Sequence, residues 1–174
     1  MKILVAWVGN TLRADDGFGV EVARRLEHVE LPPEVSVVET GIAGIALVQE
    51  LQTGYDALIV VDTVDLGRPP GHVMLIEPDV VDVHALSWSE RHDLLADMHL
   101  ATPGRAMMLA RALGVLPPQV LMVGCQPVAP DAVGEELSPP VAAAVGVAVT
   151  EIRRHVEELL SASPPSPATD ARGA

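Results

Sequence analysis

Short apolar runs alternate along the chain with segments whose apolar residues are spaced as on one face of a helix. Residues 3–8, 57–61 and 120–124 are continuous apolar runs, typical of strands buried on both faces of a parallel sheet. Residues 35–40 predict a further strand. Residues 72–76 predict another, for which an edge position and an antiparallel orientation are both open.

Between these runs, apolar residues recur three or four positions apart and predict helices. These helices begin at residue 18, at residues 41–45, at residue 102 or 103, and at residue 139, the last one ending near residue 160. Asp15 or Asp16 is a candidate to cap the first helix, while Ser138 before two prolines marks the start of the last. Residues 78–100 lack a clean period and predict a long, partly irregular connection.

The alternation of strands and helices predicts the α/β class. We expect a three-layer sandwich: a twisted, mostly parallel sheet of about five strands with helices on both faces. A chain of 174 residues is most simply one domain, placed here at residues 1–160. Residues 161–174 are rich in Pro, Ser and Ala and predict a disordered tail.

The amino-acid composition limits the classes of binding partner that this protein is expected to have. The formal net charge of -13 argues against nucleic acid and anionic membranes as binding partners. It suits a basic peptide or a cation, although an acidic surface that is simply solvated is the simplest interpretation. The single Cys125 excludes an intramolecular disulfide. No apolar run approaches the roughly 18 residues of a membrane span, and the first residues lack secretory-signal features, so we expect a cytoplasmic protein.

The most informative segment is residues 9–19, with the sequence GNTLRADDGFG, between the first strand and the first helix. Ligands meet the backbone at such turns in open α/β sheets. The glycines do not form a dinucleotide fingerprint, and the Lys and Ser or Thr of a phosphate loop are missing. Because Asp15 and Asp16 would repel a phosphate and attract a cation, the turn favours a metal or peptide site.

A third carboxylate follows the clearest strand. Asp62 comes directly after a buried apolar run, where a charge needs a partner. The carboxyl ends of parallel strands share one edge, so Asp16 and Asp62 are expected to converge there, unless Asp15 and Asp16 serve only as helix caps. Asp65 is interpreted as an ordinary turn residue.

The histidines offer a nitrogen ligand. His92 and His99 are the strongest candidates of the six because they lie in the loop before a core helix. Two carboxylates and one imidazole make a mixed site for a divalent transition metal with open positions. Cys125 ends a buried strand and is expected to be inert. The sequence contains neither H-E-x-x-H nor G-x-S-x-G, so it does not predict a conventional zinc or serine protease.

In their order, these motifs resemble those of the hydrogenase maturation protease family, whose members trim the C-terminal extension from the large subunit of nickel-iron hydrogenases. The resemblance covers nearly all of residues 2–155. Two fairly specific motifs carry it, residues 9–19 and residues 56–65 (DALIVVDTVD). Weaker motifs follow in the right order at residues 41–47, 70–71, 98–99, 109–114, 123–127 and 137–141.

The resemblance implies a phosphorylase/hydrolase-like fold and an endopeptidase, aspartyl-type or metal-dependent, that contacts nickel through Asp16, Asp62 and His99. His99 is preferred to His92 because of its spacing to the motif at residues 109–114. In the family the nickel belongs to the substrate and reports that metal insertion is finished. The implied partner is therefore a nickel-loaded large-subunit precursor, processed by a monomer that has no tightly held metal of its own.

Two other functions stay open at this point. A nickel-sensing assembly chaperone that does not cleave would use the same residues. A peptidyl-tRNA hydrolase-like protein also has a Gly-Asn turn after its first strand. The acidic composition and the missing early catalytic histidine count against this second alternative.

Overall fold

The computed structural model describes residues 1–40, 44–90, 102–130 and 132–162. In this part of the chain, five strands form one sheet in the order β2-β1-β3-β5-β4. The strands are β1 (Ile3–Trp7), β2 (Val35–Glu39), β3 (Ala57–Thr63), β4 (Val73–Ile76) and β5 (Gln119–Cys125). All neighbours are parallel except β4, an edge strand antiparallel to β5. The predicted α/β class and mostly parallel sheet are confirmed.

Helices cover both faces of this sheet. They are α1 (Phe18–Leu26), α2 (Ile45–Leu51), α3 (Pro103–Ala112) and α4 (Pro139–Ala162). Short 3-10 turns lie at Ala14–Gly17 and Val83–Ala85. None of the helices in the described ranges is long and apolar enough to cross a bilayer.

Alternate residues of β1 face two different hydrophobic layers. Ile3 and Val5 pack in one cluster with residues of α1 and α4, whereas Leu4 and Ala6 pack in another with residues of α2 and α3. All four of these β1 side chains are fully buried. Burial of a larger aliphatic side chain such as Ile3, Leu4 or Val5 stabilises the fold by about 1.5 to 3 kcal/mol. Because both faces of the central strands are buried, successive residues in these strands are apolar, which explains the continuous apolar runs in the sequence.

The end of α4 corrects one predicted boundary. Ser161 and Ala162 are helical, although their composition placed them in the tail. The Ser161 hydroxyl donates a hydrogen bond to the carbonyl oxygen of Glu157 at 2.7 Å, which satisfies one acceptor of the last turn. The remaining tail, residues 163–174, lies outside the described residues.

The sheet register brings the polar strand ends to one edge. Trp7 of β1 is paired with Val61 of β3, and Asp62 is paired with Gly124 of β5. The turn that follows β1 and the end of β3 are therefore neighbours at the carboxyl edge of the sheet. This edge carries the candidate site.

Candidate active site

The turn after β1 is closed by its own backbone and by Asn10. The Asn10 N–H donates to the carbonyl oxygen of Asp16 at 3.2 Å, and the Asn10 side-chain oxygen accepts from the Leu12 N–H at 2.9 Å. A Cβ at Gly9 would lie 2.3 Å from the Asp16 carbonyl oxygen, so only glycine fits this closure. Gly9 and Asn10 thus fix the position of Asp16 in the turn.

A second glycine brings α1 against the strand ends. A Cβ at Gly19 would lie 2.2 Å from the carbonyl oxygen of Val8 and 3.0 Å from that of Val61. The Val8 N–H also donates to the Val61 carbonyl oxygen at 3.0 Å. The start of α1 consequently sits directly on the carboxyl ends of β1 and β3.

The two adjacent aspartates of the turn have different surroundings. Asp15 is 3% exposed and accepts hydrogen bonds from the Val128 N–H at 2.8 Å, from the Ser138 N–H at 2.7 Å and from the Ser138 hydroxyl at 3.1 Å. Asp16 is only half-buried. Asp16 is therefore the carboxylate of this pair that stays accessible to a ligand.

The prediction that one of these aspartates caps α1 is wrong. The residue before α1 is Gly17, and no side chain caps that end or the preceding 3-10 turn. The Asp15 carboxylate instead accepts hydrogen bonds from the N–H groups of Val128 and Ser138, which lie far from α1 in sequence. Capping therefore does not explain the acidic pair.

Asp62 lies close enough to Asp16 for the two charges to interact. The pKa of Asp62 is raised to about 7, chiefly by burial and to a smaller degree by the negative charge of Asp16, against the lowering effect of a hydrogen bond from the Thr63 N–H. That hydrogen bond to the Asp62 carboxylate is 2.7 Å long. The two predicted carboxylates are thus brought together across 46 residues of sequence.

The proposed nitrogen ligands are not among the residues that the structure describes. His92 and His99 fall outside the described residues. Of the other histidines, His72 is exposed, and the Nε2 atom of His84 lies 3.2 Å from the carbonyl oxygen of Ala112. Within residues 1–40, 44–90, 102–130 and 132–162, no three His, Cys, Asp or Glu side chains form a group able to hold a metal.

Cys125 is an inert thiol, as predicted. Its side chain is fully buried. Burial, together with the negative charge of Asp15, raises the pKa of Cys125 to about 12. A thiol of that pKa is not ionised near neutral pH and does not act as a nucleophile.

Gln126 is a structural residue of the site that sequence reasoning missed. Its side chain is 5% exposed, and its oxygen accepts from the N–H groups of Leu66 and Arg68 at 2.9 and 3.0 Å. Its side-chain nitrogen donates to Asp65 at 2.8 Å. Gln126 thereby fixes the turn that leaves β3 beyond Asp62. The only signal in the sequence was its place in a weak motif at residues 123–127.

A groove of about 690 Å³ lies beside the Asp16 turn. Its lining includes Thr11 and Gly17 of that turn, together with Glu21, Glu135 and Glu136. The groove lies against the turn that carries Asp16, but neither Asp16 nor Asp62 is among the residues that line it. A second cavity of about 680 Å³ near the start of β5 contains none of the site residues.

Comparison with known proteins identifies the family. Residues 20–155 match the family model described as hydrogenase maturation protease. The chain is 33% identical over 156 residues to the hydrogenase expression/formation protein HupD of Rhodobacter capsulatus, covering 89% of this chain and 71% of that protein. It is 35% identical to HupD of Thiocapsa roseopersicina, of which it covers 60%.

Solved structures agree with this assignment. The hydrogenase 2 maturation peptidase from Thaumarchaeota archaeon SCGC_AB-539-E09 has 32% identity and a TM-score of 0.65, covering 90% of this chain and 99% of that chain. The hydrogenase maturating endopeptidase HybD from E. coli has 25% identity and a TM-score of 0.71, covering 91% and 94%. The fold and these relatives define a hydrolase of the endopeptidase class. The chain belongs to the hydrogenase maturation protease family.

Proposed function

We propose that this endopeptidase removes the C-terminal extension of a nickel-iron hydrogenase large-subunit precursor after nickel has been inserted. The observation that carries the proposal is the meeting of Asp16 and Asp62 at the carboxyl edge of the sheet. Membership of the family supports a hydrogenase precursor as substrate. The groove beside the turn that carries Asp16 supports a polypeptide segment as the bound substrate.

The electrostatics of the pair suit a metal that arrives with the precursor. Near neutral pH, Asp62 is only partly ionised because of its burial and the charge of Asp16. A divalent ion brought against both carboxylates would remove their repulsion and displace the proton from Asp62. Binding of a nickel-loaded precursor would then be favoured over binding of a nickel-free one.

We assign the third contact to His99, on the strength of the family resemblance. His99 precedes α3, whose first residue is Pro103. In this proposal, Asp16, Asp62 and His99 add ligands to a nickel ion that the precursor already holds. The nickel polarises the scissile carbonyl or activates a water molecule, and an acidic side chain assists proton transfer.

The test is incubation of the enzyme with nickel-loaded and nickel-free precursor, followed by mass spectrometry of the precursor. We expect loss of the terminal peptide only from the nickel-loaded form. Binding without any loss of mass would instead indicate the non-cleaving, nickel-sensing chaperone. Equal cleavage of both forms would contradict nickel recognition.

Substitution of Asp16 tests the site itself. Asp16→Asn removes the charge but keeps the shape, so we expect cleavage to fall by at least a hundredfold with an unchanged circular dichroism spectrum. Asp16→Glu keeps the carboxylate and is expected to retain measurable cleavage. The exposed Asp79→Asn is the matched control and is expected to cleave at the wild-type rate. Wild-type processing by Asp16→Asn would show that the assigned role is wrong.

A further inference from the structure

Asp15 lies next to Asp16 but contacts a different part of the molecule. Its buried carboxylate binds the N–H of Val128, which follows β5, and the N–H and hydroxyl of Ser138, which precedes α4. We propose that Asp15 is a positioning residue, which holds Asp16 opposite Asp62 by tying the turn to these two segments. This inference rests on the proposed function for its catalytic consequence.

The hydrogen bonds require a carboxylate at position 15. One oxygen of Asp15 accepts the Ser138 N–H at 2.7 Å, and the other accepts the Val128 N–H at 2.8 Å. An asparagine has one acceptor and one donor, so in either orientation its NH₂ group would face a backbone N–H. A buried charge is costly unless it is fully hydrogen-bonded, and these neutral donors meet that need.

The turn that Asp15 anchors is strained. Ala14 has a φ of 43°, in the left-handed region that residues with a Cβ rarely adopt. Its N–H donates to the carbonyl oxygen of Gly134 at 2.6 Å, and the Gly134 N–H donates to the carbonyl oxygen of Leu12 at 3.2 Å. Such strain persists only where surrounding contacts fix the backbone. Gly134 supplies two of those contacts, and Asp15 binds Val128 before it and Ser138 after it.

Loss of this anchor is expected to displace Asp16. The two residues are adjacent, and the Asp16 carbonyl oxygen accepts the Asn10 N–H at 3.2 Å. A relaxed turn would therefore shift the Asp16 carboxylate and weaken the hydrogen bond from Asn10. A shift of about 1 Å in a catalytic group can reduce turnover by about a hundredfold. Binding of the precursor over the rest of the surface would change little.

The kinetic test compares Asp15→Asn with wild type on nickel-loaded precursor. We expect kcat to fall by about 10- to 100-fold while KM stays within about threefold. Ser138→Ala removes one of the three hydrogen bonds and is expected to lower kcat by a smaller factor. Ser138→Thr keeps the hydroxyl and is expected to restore kcat to within about twofold of wild type. A rise in KM alone would overturn the proposal.

A matched control separates positioning from loss of stability. Leu159 is buried near the far end of α4, about 30 Å along the helix from Ser138. Leu159→Ala destabilises the fold without touching the turn, so its kcat should be that of wild type at a temperature where it is folded. If Asp15→Asn loses no more kcat than Leu159→Ala under such conditions, Asp15 is merely structural and the proposal fails.

Amide hydrogen exchange tests the geometry without any cleavage. In the enzyme alone, exchange of the Asn10 N–H should quicken by about tenfold or more in Asp15→Asn and stay unchanged in Leu159→Ala. Unchanged Asn10 exchange in Asp15→Asn would overturn the positioning role. If wild type cleaves no precursor while Asn10 exchange still responds to Asp15→Asn, the proposed function fails and the positioning of Asp16 by Asp15 stands.

Discussion

At the scale of single residues, burial of the charged Asp62 carboxylate carries a penalty, because it lowers the free energy of unfolding. Its pKa rises from 3.8 to about 7, chiefly because burial disfavours the charged form and secondarily because Asp16 is near. The folded state therefore binds the proton of Asp62 more tightly than the unfolded chain does. By linkage, the penalty is absent below about pH 4, grows as pH rises, and is complete above about pH 7.

Asp62→Asn should remove this penalty. At pH 8 we expect the free energy of unfolding of the variant to exceed that of wild type by about 2 to 4 kcal/mol, with little difference near pH 4. Urea unfolding at the two pH values measures the effect. The variant should also lose cleavage, since it lacks the second carboxylate. An equal stability difference at both pH values would show that the pKa of Asp62 is not raised by folding.

Substitution of Cys125, unlike substitution of Asp62, is expected to leave cleavage nearly unchanged. Its thiol is fully buried and has a pKa of about 12, so Cys125→Ala should cleave within about twofold of the wild-type rate. Resistance of the native protein to thiol alkylation gives an independent check. A loss of cleavage above tenfold in a stably folded Cys125→Ala would bring a thiol mechanism back into consideration.

At the scale of elements, the contact between α1 and the ends of β1 and β3 decides whether the carboxylates meet. This contact depends on Gly19, whose missing side chain lets the helix approach two strand carbonyl groups. Periodicity alone did not reveal such close packing. Nor does apolar spacing alone settle burial in α2, where Ile45 is 60% exposed while Leu47, Val48 and Leu51 are buried.

Gly19→Ala should therefore destabilise the protein. Its Cβ would lie 2.2 Å and 3.0 Å from backbone oxygen atoms that cannot move without shifting a strand. We expect a loss of about 3 kcal/mol in the free energy of unfolding, together with weaker cleavage as Asp16 moves from Asp62. Gly146→Ala in α4 is the control: nothing lies within 4 Å of its added Cβ, and it should stabilise by up to about 1 kcal/mol. Equal stabilities for the two variants would contradict this packing.

At the scale of the whole molecule, one sheet separates two hydrophobic layers. Ile152 of α4 lies in one layer and Leu47 of α2 lies in the other, and both side chains are fully buried. The layers share the sheet, so they are expected to unfold together. They do not share side-chain contacts across it, so damage to each layer is expected to be independent.

Ile152→Val and Leu47→Ala test this arrangement. We expect the free energy of unfolding to fall by about 1 kcal/mol in Ile152→Val and by about 3 kcal/mol in Leu47→Ala. In the double variant the loss should equal the sum of the two to within about 0.5 kcal/mol. Urea unfolding followed by fluorescence and by circular dichroism should give coincident transitions. Separate transitions, or strong non-additivity, would show that the layers are not independent halves of one cooperative unit.

The sequence by itself indicated the main helices and strands and the layered α/β class, and it indicated Asp16 and Asp62 as candidate site carboxylates. These features follow from local patterns in the sequence. Buried parallel strands have continuous apolar sequences, and charged residues that follow such strands lie at the same edge of the sheet. The sequence left an edge position and an antiparallel orientation open for β4, and the structure shows both.

Only the tertiary structure decided the strand order, the role of Asp15 and the raised pKa of Asp62. Asp15 accepts hydrogen bonds from residues 113 and 123 positions away, whereas local propensity had made Asp15 or Asp16 a candidate cap for α1. The pKa of Asp62 depends on burial and on a carboxylate from another turn. Both are consequences of chain segments packed side by side, and hydrophobic periodicity carries no information about which distant segments become neighbours.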